Sequence, residues 1–191
     1  MGKYNVVMIL LDGLRLDRVT LCQNLSKILK KGYFFSNMIT DVPYTLGSLH
    51  STFTGLYPSR HGVDSYFNMF KFRKEACKTM LQYLKDNGYY TLASLPVDSI
   101  VPKQGFDSIL VHGKDENLTE LHKKLINGVM GKNFFLFIRY ENLHAEIINN
   151  VGKKFSDFDE EYFKNYDSNI KKYNSYLERM ELYIKDVFDH A

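Results

Sequence analysis

Apolar residues along this chain fall into short runs separated by amphipathic stretches, the pattern of buried strands alternating with helices. Residues 4–11 and 134–140 are nearly continuous apolar runs, which are typical of parallel strands covered on both faces. Shorter strands are predicted over residues 89–94 and 107–111, and a strand or extended segment over residues 33–39. This alternation predicts an α/β fold with a mostly parallel sheet and helices on both faces.

Helices are predicted where apolar residues recur every three or four positions. These segments cover residues 21–31, 45–54, 74–87 and 118–130. The second of them is predicted to begin with Thr45 at its N-cap and to end at Gly55, because threonine favours the first position and glycine the last.

The C-terminal segment, residues 159–188, is helix-prone and carries a regular apolar stripe. The stripe consists of Ile170, Tyr173, Leu177, Met180, Ile184 and Val187. It fits one long helix that packs on its own sheet, and it also fits a short coiled-coil seam. If covering segments are missing from the chain, the stripe would be exposed, and a homodimer is the expected consequence. The whole chain, residues 1–191, is otherwise predicted to be a single domain.

Composition narrows the range of functions. The chain has 191 residues and a net charge of +3, with its lysines scattered, which argues against a nucleic-acid partner. The two cysteines, Cys22 and Cys77, form no metal-binding spacing and are expected to be reduced and partly buried. The first apolar run is short and ends in an acid, so it predicts neither a signal peptide nor a membrane span, and a cytoplasmic location is the default expectation.

Two residues carry the chemistry. Asp12 ends the first predicted strand, where a carboxylate must be hydrogen-bonded, paired or bound to a metal. Thr45 begins a predicted helix, whose free N–H groups favour an anionic ester. A metal held by the carboxylate would activate the hydroxyl for attack on such an ester. The structural alternatives are a capping aspartate in a βα turn and an ordinary N-cap threonine.

Several segments together resemble the N-terminal part of the sulfatase branch of the alkaline phosphatase superfamily. They are Leu10-Leu11-Asp12-Gly13-Leu14-Arg15-Leu16-Asp17, Pro43-Tyr44-Thr45-Leu46, Thr54-Gly55-Leu56-Tyr57-Pro58-Ser59-Arg60-His61-Gly62-Val63, Leu84-Lys85-Asp86-Asn87-Gly88-Tyr89-Tyr90-Thr91, Gly105-Phe106-Asp107, and Phe134-Phe135-Leu136-Phe137-Ile138 leading to His144. The resemblance implies an alkaline-phosphatase-like three-layer sandwich, truncated at its C-terminus. It is closest to the members with a threonine nucleophile.

The resemblance also implies roles for individual residues. Asp12 would bind a divalent metal ion (zinc, manganese or calcium), and Thr45 would act as the catalytic nucleophile and as a second metal ligand. His144 and Arg60 would bind the substrate, a small-molecule sulfate or phosphate ester. Arg60 in its loop and His144 alone are equally compatible with structural roles. Arg15 and Asp17 are expected to form a local ion pair.

The chain departs from the family pattern at three positions. Gly13 stands where sulfatases carry a second acid, which favours the phosphate- and phosphonate-handling branches. Gly47 and Leu49 replace a proline and a basic residue that often follow the nucleophile, and His50 lies about 100° further around the helix. A polarising partner for the ester is therefore expected to be missing.

The second half of the family's metal site is also not found. The closing residues Asp189 and His190 follow a helix-like run, and they are interpreted as a coincidental match to the family's Asp-His pair or as part of a helix end. The predicted function is a metal-dependent hydrolase of sulfate, phosphate or phosphonate esters that is incomplete in this chain. The alternatives are a transferase that passes a phospho-group to a sugar or lipid, and a non-catalytic binding or assembly domain.

Overall fold

The computed structural model describes residues 4–68, 70–151 and 164–191. Within these residues, strands lie at Val6–Leu11 (β1), Tyr90–Leu95 (β2), Ser108–Val111 (β3) and Phe134–Tyr140 (β4). They form one four-stranded sheet in the order β1-β4-β2-β3. Strand β2 pairs in parallel with β3, with Leu92 opposite Ser108, and in parallel with β4, with Leu92 opposite Leu136. The predicted α/β class with a mostly parallel sheet is confirmed.

The helices occupy the segments between the strands. The α-helices are α1 (Gln23–Leu29), α2 (Thr45–Thr54), α3 (Pro58–His61), α4 (Met80–Asp86), α5 (Leu118–Val129), α6 (Asn142–Asn150) and α7 (Tyr166–His190). Short 3-10 helices cover Leu16–Leu21, Tyr66–Asn68 and Asp98–Ile100. The apolar periodicity thus located α1, α2, α4 and α5, whereas α3 and α6 were not predicted.

Three predicted elements differ from the structure. Residues 33–39 form no strand, and Tyr33 and Ile39 are almost fully exposed. The helix predicted from residue 74 begins only at Met80, because Thr79 and Gln82 form a capping box that fixes its start. The helical segment predicted over residues 159–188 begins partly outside the described residues, and α7 covers Tyr166–His190.

The chain divides into two compact units. The first contains the described residues of 4–8, 37–116 and 125–138. Phe53 of α2 is fully buried at its centre, and its ring meets those of Phe106, Phe135 and Phe137 edge-on at centroid distances of 5.9, 6.5 and 5.2 Å. Edge-to-face packing of this kind is a favoured arrangement of aromatic side chains. An aromatic core therefore holds helix α2 in place.

Asp107 secures β3 within the first unit. Its carboxylate accepts hydrogen bonds from the backbone N–H and the hydroxyl of Thr91, at 2.9 and 3.0 Å, and pairs with Lys85 Nζ at 2.5 Å. Desolvation would raise the pKa of Asp107, but the bonds from Lys85 and Thr91 outweigh it and hold the pKa below its usual range. Gly105 has a φ of +92°, and a Cβ there would lie 2.5 Å from the backbone nitrogen of Gln82. The Gly105-Phe106-Asp107 motif is therefore structural.

The second unit contains the described residues of 9–36, 117–124 and 139–191, and α7 organises it. The side chains of Tyr173, Leu177, Met180, Ile184 and Val187 are buried. The expectation that this stripe would be exposed is therefore wrong, because the helix packs its apolar face within its own unit. A homodimer stays a prediction. The stripe is thus the apolar face of one long packed helix, the first of the two interpretations.

Polar contacts also fasten α7 to its unit. The two carboxylate oxygens of Glu181 accept hydrogen bonds from the backbone N–H groups of Asn24 and Leu25, at 2.5 and 3.0 Å. They cap helix α1, whose own N-cap residue, Cys22, makes no side-chain cap bond. Tyr183 lies 2.8 Å from His122 Nδ1, and burial raises the pKa of its phenol.

Both cysteines are free, and they are more deeply buried than the partial burial that the sequence predicted. Burial raises the pKa of the Cys22 thiol to about 11, so the thiol stays protonated at neutral pH. In the described part of the chain, none of the helices combines the length and apolar character needed to cross a membrane.

Candidate functional site

Asp12 follows the last residue of β1, and its backbone N–H donates to the Tyr140 carbonyl at 3.1 Å. Its carboxylate Oδ2 accepts hydrogen bonds from Arg139, from Nε at 3.1 Å and from Nη2. Both side chains are largely buried, with 9% of Arg139 and 15% of Asp12 exposed. The requirement that this buried acid have a partner is thus met by a guanidinium that the sequence did not reveal.

His144 lies beside the same carboxylate. It is in the first turn of α6, and its Nδ1 is 3.7 Å from Asp12 Oδ1, beyond hydrogen-bond distance. Its side chain is 41% exposed. Two of the predicted site residues, Asp12 and His144, are therefore brought together, and we call Asp12, Gly13, Arg139 and His144 the Asp12 cluster.

Gly13 is required by the geometry of this cluster. Its φ is +90°, a left-handed conformation that residues with a side chain rarely adopt. A Cβ at this position would lie 3.0 Å from Ile147 Cδ1 and 3.2 Å from both the backbone nitrogen and the Cα of His144. Helix α6 therefore occupies the space where sulfatases carry a second acid, which gives a physical reason for this departure from the family pattern.

The turn after Asp12 is held by α7. The Tyr173 hydroxyl accepts a hydrogen bond from the Arg15 N–H at 2.9 Å and donates one to the Gly13 carbonyl at 3.0 Å. Burial raises the pKa of Tyr173, so its proton stays available for this bond. Arg15 and Asp17 form the predicted local ion pair, with two hydrogen bonds of 2.9 Å. Strand, turn and two helices thus fix the Asp12 backbone.

Thr45 is the first residue of α2, in the first compact unit. The prediction that it caps the helix is wrong by one position, since Tyr44 is the N-cap residue and has the extended backbone of that position. Thr45 is half-buried, and it lies at the helix end whose first N–H groups have no partner within the helix. Its hydroxyl therefore does not serve as the helix cap.

Gly47 allows the chain to fold tightly around this helix start. A Cβ at position 47 would lie 2.8 Å from a Val42 methyl group and 2.9 Å from the ring of Tyr44. Any side chain there would displace the ring of Tyr44, the residue that directly precedes Thr45. The glycine that replaces the family's proline is thus matched to the tyrosine ahead of the candidate nucleophile.

His50 is a core residue of this unit. Its Nδ1–H donates to the Leu46 carbonyl at 2.8 Å, and its ring meets Phe72 edge-on at 4.9 Å. Burial lowers the pKa of His50, so the imidazole is neutral at neutral pH. His50 therefore does not supply the cation that the family often places near the nucleophile. This agrees with the prediction, made from its position along the helix, that such a partner is missing.

Asp41, Ser51 and His61 form a hydrogen-bonded chain that the sequence did not reveal, and we call it the Ser51 network. The Val63 N–H donates to His61 Nδ1 at 3.1 Å, so the ring proton is on Nε2. Nε2 then donates to Ser51 Oγ at 3.0 Å, and Ser51 donates to Asp41 Oδ2 at 2.7 Å. Because the imidazole donates to the serine, it is not placed to act as its base.

His61 therefore has a structural role in its loop. It is fully buried, and burial lowers its pKa despite the nearby carboxylates of Asp41 and Asp64. The following Gly62 has a φ of +89°, and a Cβ there would lie 2.4 Å from the Lys71 carbonyl oxygen. The neighbouring Arg60 is exposed, and its backbone carbonyl accepts a bond from Arg73 at 3.4 Å. A substrate-binding role for Arg60 stays a prediction.

The described residues do not fit a catalytic metal. Among them, no three histidine, cysteine, aspartate or glutamate side chains come together as a metal site would require. The Asp12 cluster offers one carboxylate, already paired with Arg139, and one imidazole. Thr45 belongs to the other compact unit, so its sharing of a site with Asp12 stays a prediction.

The family model for sulfatases matches residues 4–191. The chain therefore belongs to the sulfatase family, as its motifs predicted. No functionally curated protein was found to match it.

Solved structures show the same fold. A protein of the alkaline phosphatase superfamily from Vibrio parahaemolyticus matches with a TM-score of 0.66 and 20% identity, over 100% of this chain and 50% of its own. An inactive threonine-to-alanine variant of murine ectonucleotide pyrophosphatase/phosphodiesterase 5, in complex with AMP, matches with a TM-score of 0.62 and 13% identity, over 98% and 53%. The alkaline-phosphatase-like fold is thereby confirmed.

A third structure is that of a protein in complex with its substrate D-glucosamine-2-N,6-O-disulfate. It matches with a TM-score of 0.61 and 16% identity, over 83% of this chain and 40% of its own. This chain thus spans about half the length of the solved structures that it matches. At these identities the likeness concerns the fold.

Proposed function

We propose that this chain is the nucleophile-bearing part of a sulfatase-family enzyme that cleaves a sulfate, phosphate or phosphonate ester, with Thr45 as the attacking hydroxyl. The observation that carries the proposal is the place of Thr45 as first residue of α2. At this end of the helix the backbone N–H groups of the first turn have no partner within the helix, and they attract an anionic ester. Attack would form a bond from Thr45 Oγ1 to phosphorus or sulfur and break the bond to the ester oxygen, and the alcohol would leave with the proton of the Thr45 hydroxyl.

Two of the similar structures support this proposal. In the murine phosphodiesterase, replacement of a threonine by alanine gives an inactive protein that still holds AMP. The substrate of another is a disulfated sugar. Both ligands are small and anionic, and a small-molecule ester is accordingly the substrate class proposed here.

The metal implied by the resemblance has an incomplete set of ligands in this chain. Zinc, manganese or calcium bound through Asp12 and Thr45 would need further ligands from outside the described residues, since a catalytic metal takes three or more protein ligands. We therefore expect little or no turnover of aryl phosphates or aryl sulfates by this chain alone, with any of the three metals added.

A covalent label tests the proposed nucleophile. The chain is incubated with an activated aryl phosphate, and the esterified residue is located by peptide mass spectrometry, in wild type, Thr45→Val and Thr52→Val. Valine keeps the shape of threonine without its hydroxyl, and Thr52 is an exposed threonine of the same helix. A label on Thr45 that survives Thr52→Val supports the proposal. A label on another residue, or an amount of label that is unchanged in Thr45→Val, contradicts it.

A non-catalytic binding domain is the second candidate, and the Asp12–Arg139 ion pair favours it, because a paired carboxylate is a poor metal ligand. This candidate predicts ester binding without any covalent product. Titration with phenyl phosphate and phenyl sulfate, followed through the NMR amide signals of Thr45 and Leu46, would show shifts in the absence of labelling.

A further inference from the structure

The Asp12 carboxylate is the residue for which the family resemblance and the structure disagree most clearly. The resemblance makes it a metal ligand, whereas Arg139 donates two hydrogen bonds to its Oδ2. We infer that Arg139 takes the place of the cation at Asp12, so that Asp12 and Arg139 form a permanent ion pair that joins the ends of β1 and β4 and needs no metal. Nothing in this inference depends on the proposed role of Thr45.

The first argument is the burial of Arg139. Only 9% of its side chain is exposed, and a guanidinium does not lose its charge at any pH at which proteins fold. A buried cation without a paired anion is strongly destabilising. If Asp12 turned to bind a metal, Arg139 would lose this anion, and a divalent ion would be placed next to its positive charge.

The second argument is the small number of donors that remain. With Oδ2 occupied, Asp12 can offer Oδ1, and His144 Nδ1 lies 3.7 Å from it. A second acid at position 13 is disfavoured by the φ of +90° and by the backbone of His144. Two donors are fewer than metal sites in proteins ordinarily use.

The third argument is the rigidity of the surrounding backbone. The Asp12 N–H is bonded to the Tyr140 carbonyl, one residue beyond Arg139, and the Tyr173 hydroxyl holds the Gly13 carbonyl. The carboxylate and the guanidinium therefore start from neighbouring strand ends that are already fixed. A preorganised pair of this kind loses little side-chain entropy when it forms.

The inference is tested by thermal unfolding of the whole chain in EDTA and with zinc, manganese or calcium added. The variants are Asp12→Asn, Arg139→Met and the double variant, with Arg179→Met as the matched control, since Arg179 is an exposed arginine paired with Glu146. We expect the wild-type midpoint to be unaffected by metal and both single variants to unfold several degrees lower. The double variant should lower the unfolding midpoint by less than the sum of the two single-variant shifts. The midpoint of the Arg179→Met control should equal that of wild type.

Two results would overturn the inference. One is a wild-type midpoint that any of the three metals raises and that Asp12→Asn no longer responds to. The other is a double variant whose shift equals the sum of the single shifts. If the arginine variant does not fold, equilibrium dialysis of the wild type against the same metals decides: equal uptake by wild type and Asp12→Asn supports the inference, and uptake that requires Asp12 contradicts it.

Discussion

The two compact units hold their candidate site residues in different ways. In the first unit, Thr45 starts a helix that is fixed by an aromatic core around Phe53, and its surroundings are made by close packing, as at Gly47. In the second unit, Asp12 is fixed by polar bonds, to Arg139 directly and to α7 through the Tyr173 hydroxyl. We therefore expect the packed site to tolerate the loss of a single hydrogen bond, and the Asp12 cluster to depend on its individual bonds.

Removal of the central aromatic side chain is expected to have the largest effect. Phe53→Ala should lower the free energy of unfolding by about 3–5 kcal/mol, because it leaves a cavity among three other rings. Chemical denaturation measures this change, with Phe67→Ala as the control, since 97% of Phe67 is exposed. Hydrogen exchange on the same variant would show whether the amides of α7 lose protection as well. A loss below 1 kcal/mol would contradict the aromatic core as the main support of α2.

Restoring the family's second acid tests the other unit. Gly13→Asp should lower the free energy of unfolding by about 1–3 kcal/mol, because the left-handed backbone disfavours any side chain and α6 occupies the space. The matched control is Gly128→Ala in α5, where a Cβ meets nothing within 4 Å. That change should be neutral or should stabilise by up to about 1 kcal/mol. A Gly13→Asp variant as stable as wild type would show that α6 moves readily.

Removal of a single tyrosine hydroxyl tests whether the second unit depends on individual hydrogen bonds. Tyr173→Phe removes the bonds to Gly13 and Arg15 and should lower the free energy of unfolding by about 1–3 kcal/mol, since two partly buried backbone groups lose their partner. Tyr57→Phe, at an exposed tyrosine of the first unit, is the control. Denaturation midpoints of the two variants provide the comparison, and equal midpoints would argue that water replaces the Tyr173 hydroxyl.

The smallest expected effect is the pH dependence of the first unit. Burial lowers the pKa of both His50 and His61, so as pH falls below about 6.5 the unfolded chain takes up protons first. Stability is therefore lost as pH falls through that ordinary value, by at most about 1.4 kcal/mol per pH unit for each histidine. His61→Asn, which keeps an acceptor for the Val63 N–H, should reduce the slope of stability against pH between 7 and 5. An unchanged slope would contradict the contribution of His61.

The sequence predicted best where local patterns decide the structure. Strand β4 has the predicted bounds because its run is apolar except for Arg139, and α2 ends at Gly55 because a left-handed residue closes it. Residues 33–39 have an equally strand-like composition but remain exposed. The local pattern of residues does not show which strand a segment would pair with. The strand predicted over residues 33–39 was wrong for this reason.

For the site, the sequence predicted the need for a partner at Asp12 but not the partner itself. Arg139 lies 127 positions away, and its side chain reaches Asp12 because β1 and β4 are neighbours in the sheet. No local sequence pattern predicts the order of strands in a parallel sheet. The same holds for the Ser51 network, in which Asp41 and His61 lie on either side of helix α2 in the chain. Gly13 and Gly47 were recognised in the sequence as departures from the family pattern. The physical reason for each is the neighbouring side chain or backbone that a Cβ there would meet, which only the structure shows.

The Glu181 cap has a consequence for synthesis. Helix α1 lies near the start of the chain, yet the carboxylate that satisfies its first N–H groups is 157 positions further on. On the ribosome, at roughly 5–20 residues per second, α1 would wait several seconds or more for this partner. A seven-residue helix is marginal in isolation. The N-terminal segment is therefore expected to need protection by chaperones until the last helix emerges, and the second unit to complete its folding only after translation has passed α7.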